Sequence, residues 1–286
     1  MRLDDLRPTA NVDDRRGQFG RFSGGHIALG GGGLGIAALV IALLLGADPT
    51  QLLNGGGETN APSGYALTGP RQDDAALEFA RKIVGSTEDV WTPILAARGV
   101  HYEPAVLTPY DYETPTGCGE GSASAGPFYC PQDRRVYIDL SFFNELKDRF
   151  GAPGDFAQAY VIAHEVGHNV QNVLGTMDKE RSTLESESAK GATGASVRLE
   201  LQADCYAGVW TRHADQKFHI LEKGDVEEGL GAASPVGDDI LQKETHGYVV
   251  PDSFTQGTGA QRVRWFKRGL ERGDMDDCDT FSSEQL

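Results

Sequence analysis

Two histidines with a glutamate beside the first make the clearest chemical pattern in the chain. His164, Glu165 and His168 read H-E-x-x-H inside an apolar stretch, residues 156–174. Four residues on a helix are a little over one turn, so both imidazoles lie on one face and can bind one metal ion. Glu165 lies about 100° around the helix, within reach of a water molecule on the metal. The pattern predicts a hydrolase with a zinc-activated water and Glu165 as general base.

Two histidines need a third ligand from elsewhere in the chain. The metzincin pattern requires Gly three and His six residues after His168, where this chain has Gln and Leu, so that subclass is excluded. Residues 198–204 place Glu200 and Asp204 four apart on a second predicted helix. We predict Glu200 as the third zinc ligand and Asp204 as the acceptor for the free N–H of a zinc histidine. The alternatives are that both are ordinary surface acids, or that the helix pair is structural and binds no metal.

These residues must be positioned by a folded domain, and the hydrophobic pattern predicts its elements. We predict a strand at 135–140, where β-branched residues alternate with polar ones. Apolar residues at helical spacing predict further helices at 74–84, 87–98, 142–150, 225–233, 238–244 and 258–270. Residues 176–196 are predicted to be a mobile loop. The predicted fold class is α+β, mainly helical with a small sheet, in one domain at residues 74–286.

The N-terminal quarter predicts a membrane attachment. Residues 1–26 are charged and lack apolar periodicity, which predicts a disordered cytoplasmic segment. Residues 27–46 carry no charge, and 20 residues of helix span about 30 Å, the thickness of a bilayer core. We predict a transmembrane helix here and a linker at 47–73. The arginines before the span predict a cell-membrane protein whose domain is extracytoplasmic. A cleaved signal peptide, a buried core helix and a Gly-rich linker before a shorter helix are the alternatives.

Composition and cysteine count limit the remaining possibilities. The formal net charge of −16 argues against a nucleic-acid partner. All four cysteines follow the apolar segment, and an even number on an exported domain predicts disulfides. Of three possible pairings we favour Cys118–Cys130 and Cys205–Cys278, because the first is local. Buried, reduced thiols are the alternative.

The chain resembles the bacterial putative neutral zinc metallopeptidases, a family with gluzincin-like H-E-x-x-H and E-x-x-x-D elements. The resemblance runs over most of the chain. The matching segments are residues 11–17, 126–131, 161–168, 170–172, 198–208, 237–239, 253–255 and 261–262. It implies a zincin-like metallopeptidase domain with Zn²⁺ as cofactor.

One position departs from the family pattern and affects the expected chemistry. The family has His in its Phe-Thr-His-Gly segment, where this chain has Gln256. The amide of Gln256 can still donate a hydrogen bond to a developing oxyanion, but it cannot supply a positive charge. Tyr248 and His246 are alternative donors. The resemblance also implies that the strand at 135–140 forms the cleft edge and pairs with an extended peptide substrate.

Together these observations predict a membrane-anchored zinc peptidase whose partners are a peptide or protein substrate and the membrane. The alternative is a non-catalytic, zinc-binding scaffold or interaction protein on the membrane, for which Gln256 is the best support. The intact Glu165 argues against the scaffold, because a structural zinc needs no base beside it.

Overall fold

A computed structural model describes residues 1–18, 71–186 and 189–286 of the chain. In these ranges the protein is mainly helical with a small sheet, as predicted. The α-helices are α1 (Asp74–Ala96), α2 (Phe142–Asp148), α3 (Asp155–Val173), α4 (Thr176–Lys179), α5 (Arg181–Leu184), α6 (Ala195–Phe218), α7 (Asp225–Ala233), α8 (Asp238–His246) and α9 (Gly259–Arg272). The strands are β1 (Val106–Tyr110), β2 (Glu113–Thr116), β3 (Gly119–Ser122), β4 (Phe128–Cys130) and β5 (Arg135–Asp139), and 3₁₀ turns lie at Ala123–Ala125, Pro251–Ser253 and Met275–Cys278.

The main sheet has three strands in the order β1-β5-β4, and β2 and β3 form a separate antiparallel hairpin. β5 pairs parallel with β1 and antiparallel with β4. The strand predicted at 135–140 is therefore present, but the expectation that it forms the edge of the cleft is wrong. A strand paired on both sides has no open backbone groups for a peptide. Among the described residues, the outer edge of β4 has no paired strand.

The helix that carries the histidines, α3, has the boundaries that the sequence predicts. It begins after Gly154, whose backbone is extended, and the chain leaves it through Gly175 at φ 73°. Gly167 on α3 faces α6, where an added Cβ would lie 3.0 Å from the carbonyl oxygen of Ala203. The two helices that hold the predicted metal ligands are thus in close backbone contact because position 167 has no side chain.

Helix α1 corrects one prediction. The sequence predicts two helices, at 74–84 and 87–98, whereas the structure has one continuous helix. Gly85 does not end it: an added Cβ there would lie 2.2 Å from the carbonyl oxygen of Arg7. Ser86 and Thr87 donate their hydroxyls back to carbonyls of the preceding turn and stay within the helix. The glycine serves close packing against the N-terminal residues.

Those N-terminal residues correct a second prediction, that residues 1–26 are disordered. In the described part, residues 1–18, Leu6 is 4% exposed and Thr9 is fully buried. Arg7 forms ion pairs with Glu88 and Asp89 of α1. Asn11 accepts a backbone hydrogen bond from Leu107, and Asp13 donates one to it, which covers the outer edge of β1. The segment has few apolar residues of its own, and it is ordered by the domain that it contacts.

Residues 16–17 and 71–74 lie near each other. Arg16 contacts Asp73 and Asp74, and the backbone N–H of Gly17 and the side chain of Arg71 both bond to Asp111. Residues 16–17 therefore pack against the start of the domain.

The predicted transmembrane helix at 27–46 and most of the linker at 47–73 lie outside the described residues. In the described ranges, no helix is both long and apolar enough to cross a bilayer.

Two disulfides fasten loops to the domain. Cys118 pairs with Cys130 and Cys205 with Cys278, in the connectivity favoured from the sequence. The first ties the β2–β3 hairpin to β4, and the second ties the C-terminal turn to α6. The stretch 176–196, predicted as a loop, contains the two short helices α4 and α5.

Candidate metal centre

The three predicted ligands come together at the contact of α3 and α6. The ligand atoms of His164, His168 and Glu200 all lie within 4.8 Å of one another. Oε2 of Glu200 is 3.1 Å from Nε2 of His164 and 3.6 Å from Nε2 of His168. In a tetrahedral site with bonds of about 2.0–2.1 Å, ligand atoms are about 3.3 Å apart. The spacing therefore fits one zinc ion between the three side chains.

The other nitrogen of each imidazole is held by an oxygen acceptor. Nδ1 of His164 lies 2.9 Å from Oδ1 of Asp204, and Nδ1 of His168 lies 2.8 Å from Oε1 of Gln171. These acceptors hold the protons on Nδ1, so each Nε2 can bind a metal once any proton on it is lost. Gln171 is held in turn by the carbonyl oxygen of Leu199. Two histidines with fixed tautomers and one carboxylate form a donor set suited to zinc.

Asp204 is fully buried and joins several side chains of the site. Arg262 of α9 donates to it from Nε and Nη2, at 2.9 Å each. The hydroxyl of Tyr160, one helical turn before His164, also donates to it. A buried carboxylate is costly unless it is fully paired, and Asp204 has a bidentate guanidinium partner.

Glycines bring α9 close enough for this contact. An added Cβ at Gly208 would lie 2.2 Å from the carbonyl oxygen of Phe266, and one at Gly269 would lie 1.9 Å from that of Cys205. No side chain could fit between the two helices at these points. Helix α6 thus contacts α9 at Gly208 and α3 at Ala203.

Opposing electrostatic effects act on the cluster. Burial would lower the pKa of His164, but the carboxylates of Asp204 and Glu200 outweigh it and raise that pKa to about 9. The pKa of His168 is also raised against burial, chiefly by Glu200. Burial would raise the pKa of Glu200, but the two imidazoles hold it well below its usual range. The carboxylate is therefore ionised, as a zinc ligand must be.

Glu165 has the opposite shift. Burial raises its pKa, against the effect of the neighbouring histidines. A carboxylate with a raised pKa holds a proton more strongly and is a better general base near neutral pH. Glu165 lies in the wall of the same cavity as the three ligands. Its position and its pKa both suit the role predicted from the sequence.

Gln256 also lines this cavity, at 7% exposure, on the loop between α8 and α9. The described residues offer no hydrogen-bond partner to its side-chain amide. The carboxylate of Asp238 accepts the backbone N–H groups of Thr255, Gln256 and Gly257, at 2.8, 2.6 and 2.9 Å. Asp238 therefore fixes the loop that presents the free amide to the cavity.

The other two predicted donors lie elsewhere. Tyr248 is 65% exposed, and its ring contacts that of His246, which is also exposed. Neither is in the cavity wall, so the structure does not bring them together with the three ligands. The segment after α8 turns outward at Gly247, φ 77°.

Some residues of the site were not assigned a role from the sequence. Tyr160, Gln171, Arg262 and Asp238 all belong to it, and three of the four lie in segments that resemble the zinc peptidase family. Helical spacing offered one usable signal, because Gln171 follows His168 by three positions on the same helix face. The contact of Arg262 with Asp204 depends on the packing of α9, which spacing does not reveal.

The chain is similar to known proteins along most of its length. A family model described as "Putative neutral zinc metallopeptidase" matches residues 1–281. The "Uncharacterized protein YpfJ" of Escherichia coli strain K12 is 46% identical over 286 residues, covering 98% of this chain and 99% of its own length. The "Uncharacterized protein Rv2575" of Mycobacterium tuberculosis is 38% identical over 262 residues, with 86% of each chain covered. No solved structure matches.

Proposed function

Because the chain belongs to the family described as "Putative neutral zinc metallopeptidase", we propose that it hydrolyses peptide bonds with one zinc ion held by His164, His168 and Glu200. The observation that carries the proposal is the buried ligand cluster with its ligand atoms within 4.8 Å of one another. The cluster opens on a cavity that also contains Glu165. A structural zinc would require the ligands but neither the cavity nor the carboxylate.

The proposed chemistry assigns one task to each residue. Bound zinc would supply a Lewis acid that polarises the scissile carbonyl and lowers the pKa of a water molecule. Glu165 takes a proton from the attacking water and delivers it to the leaving amine nitrogen. Gln256 donates its amide N–H to the carbonyl oxygen as negative charge develops there. Because that donor is neutral, its contribution is smaller than that of a charged imidazole.

Asp238 is proposed as the positioning residue for Gln256. Its three backbone hydrogen bonds hold the loop without touching the reacting atoms. Arg262 and Asp204 act in the same indirect way on His164.

The location of the protein remains a separate proposal. We propose membrane attachment through residues 27–46. The ion pairs of Arg7 and Arg16 with acids of the domain favour residues 1–18 and the domain on one side of the membrane over the predicted single crossing. The two disulfides support an oxidising, extracytoplasmic compartment.

A non-catalytic zinc-binding scaffold is the second candidate, and Gln256 is the observation that favours it. The family His is replaced by a side chain that cannot carry positive charge. A scaffold would bind zinc and show no hydrolysis that depends on Glu165.

The test is a comparison of full-length protein with its Glu165→Gln variant. We expect equal zinc content and a loss of peptide hydrolysis of at least about 100-fold, because only the base is removed. Glu227→Gln, an exposed glutamate on α7, is the matched control and should leave both unchanged. Equal zinc in all three proteins with no hydrolysis by any of them would favour the scaffold.

A further inference from the structure

The cavity beside the metal ligands has a wall of apolar side chains. Five of its apolar members lie on or next to helices α2, α3 and α8: Phe142, Phe150, Val161, Val236 and Leu241. Leu241 is 5% exposed, and the other four are half-buried. An apolar side chain of the substrate would cover these carbon atoms and remove them from water, which favours its binding beside the hydrolytic site.

The size of the cavity limits what can enter it. Its volume is ≈ 100 Å³, enough for one large side chain but not for a folded segment. Glu165 and the three predicted ligands lie in the same wall. A side chain in this cavity therefore belongs to a residue next to, or within a few positions of, the bond that is cut.

One cation in the cavity wall has no bonded partner. Arg149 is exposed, and among the described residues its guanidinium makes no hydrogen bond and no ion pair within 4 Å. Its Cζ atom lies 5.2 Å from the ring centroid of Phe150, which keeps it beside the apolar wall. Burial raises the pKa of the Glu145 carboxyl, and the positive charge of Arg149 offsets this effect only in part. The planar guanidinium group remains available to bind a carboxylate with two parallel hydrogen bonds.

We propose that the site selects peptides with a large apolar side chain near the scissile bond and a carboxylate beside that side chain. The apolar side chain enters the cavity, and the carboxylate binds Arg149. This inference rests on the proposed peptidase function. The carboxylate has two possible sources, the C-terminus of a short peptide or an acidic residue within a longer one.

The first experiment measures kcat/KM of the zinc-loaded, full-length protein on matched blocked peptides that differ at one position. Leu or Phe should be preferred over Ala by about 10- to 200-fold, the range for small apolar differences in a pocket. Val236→Phe, which fills the cavity, should reduce cleavage of the Phe peptide much more than that of the Ala peptide. Val249→Phe, outside the cavity wall, is the matched control and should not change the ratio. Equal rates for Leu, Phe and Ala peptides would overturn the apolar part of the inference.

The second experiment varies the carboxylate. One arm compares a free C-terminal acid with its amide, and the other compares internal Asp with Asn at the same distance from the apolar residue. At least one arm should favour the carboxylate, and Arg149→Glu should reduce or reverse that preference by at least about tenfold. Lys147→Glu makes the same charge change two residues away, outside the cavity wall, and should leave the carboxylate preference unchanged. No carboxylate preference in either arm would overturn the role of Arg149.

Binding separates this inference from the proposed function. The same peptides are titrated calorimetrically into zinc-loaded Glu165→Gln protein, which needs no turnover. If no peptide is cut by the wild type but the Leu and Phe peptides bind more tightly than the Ala peptide, the hydrolytic proposal fails and the binding inference stands. Equal binding of all peptides, or no binding, would overturn the inference. Hydrolysis without discrimination would overturn it and leave the peptidase proposal intact.

Discussion

Asp204 connects the metal ligands to the rest of the protein. It accepts hydrogen bonds from His164, Tyr160 and Arg262, and none of its surface is exposed. Its spacing of four from Glu200 predicted the contact with a histidine. The role of Arg262 could not be predicted, because it comes from a helix 58 residues away along the chain.

Replacing Asp204 with Asn should weaken both the metal site and the fold. We expect a loss of zinc affinity of about 10- to 100-fold, because the acceptor for His164 is weakened. The unfolding free energy of the metal-free chain should fall by about 3–5 kcal/mol, because Arg262 stays buried without its partner charge. Competition with a chelator measures the zinc affinity, and urea denaturation measures the unfolding free energy. Asp5→Asn, an exposed acid, is the control, and an Asp204→Asn protein with unchanged zinc affinity would contradict the role of the contact.

The zinc affinity should rise with pH. With a pKa of about 9 in the metal-free cluster, His164 is protonated at neutral pH and must lose a proton to bind zinc. Apparent affinity should therefore rise with pH from 7 to 9, by about tenfold per pH unit for one released proton. Calorimetry in buffers of different ionisation enthalpy measures the proton release. A zinc affinity that is flat over this range would show that His164 is already neutral.

At the scale of elements, backbone contacts between helices position the ligands. Helix α6 contacts α3 at Gly167 and α9 at Gly208 and Gly269. The apolar stretch of α3 and the spacing of Glu200 and Asp204 on α6 were readable from the sequence. The strand order was not, because three short strands can pair in several orders and the choice depends on long-range packing. The family resemblance implied that β5 forms the cleft edge, whereas β5 lies between β1 and β4 in the sheet.

Gly269→Ala tests the contact between α6 and α9. An added Cβ would lie 1.9 Å from the backbone of Cys205, so the helices must separate. We expect a loss of unfolding free energy of about 1–3 kcal/mol, together with weaker zinc binding, since Arg262 moves with α9. Gly231→Ala on α7, where nothing lies within 4 Å of an added Cβ, should instead stabilise by about 0.5–1 kcal/mol. Equal denaturation midpoints for the two variants would contradict the packing account.

At the scale of the whole molecule, the N-terminal residues and the domain form one folded unit. Composition alone predicted disorder for the first 26 residues because they contain little apolar surface. The contacts that order residues 1–18 are mostly polar and reach far along the chain, 81 positions between Arg7 and Glu88 and 100 between Arg15 and Pro115. Local sequence patterns do not report such contacts.

A cross-linking experiment tests this arrangement in cells. Arg7 and Asp89 form an ion pair of 2.7 Å, so Arg7→Cys with Asp89→Cys in the full-length chain should be joined by a short bismaleimide reagent. Mass spectrometry of the digested protein detects the linked peptides, and each single variant is a control. If residues 27–46 crossed the membrane once, the two thiols would lie on opposite sides, and no linked peptide would form within one chain.

The most direct test of the central claim is metal removal and return. Full-length protein is stripped with a chelator and then titrated with zinc while bound metal and peptide hydrolysis are measured together. We expect hydrolysis to be lost on stripping and to recover at one zinc per chain. A variant with His164→Ala, His168→Ala and Glu200→Ala should show neither zinc uptake nor recovery. Hydrolysis that survives removal of the metal, or tight zinc binding by the triple variant, would contradict the assignment of this cluster as the catalytic site.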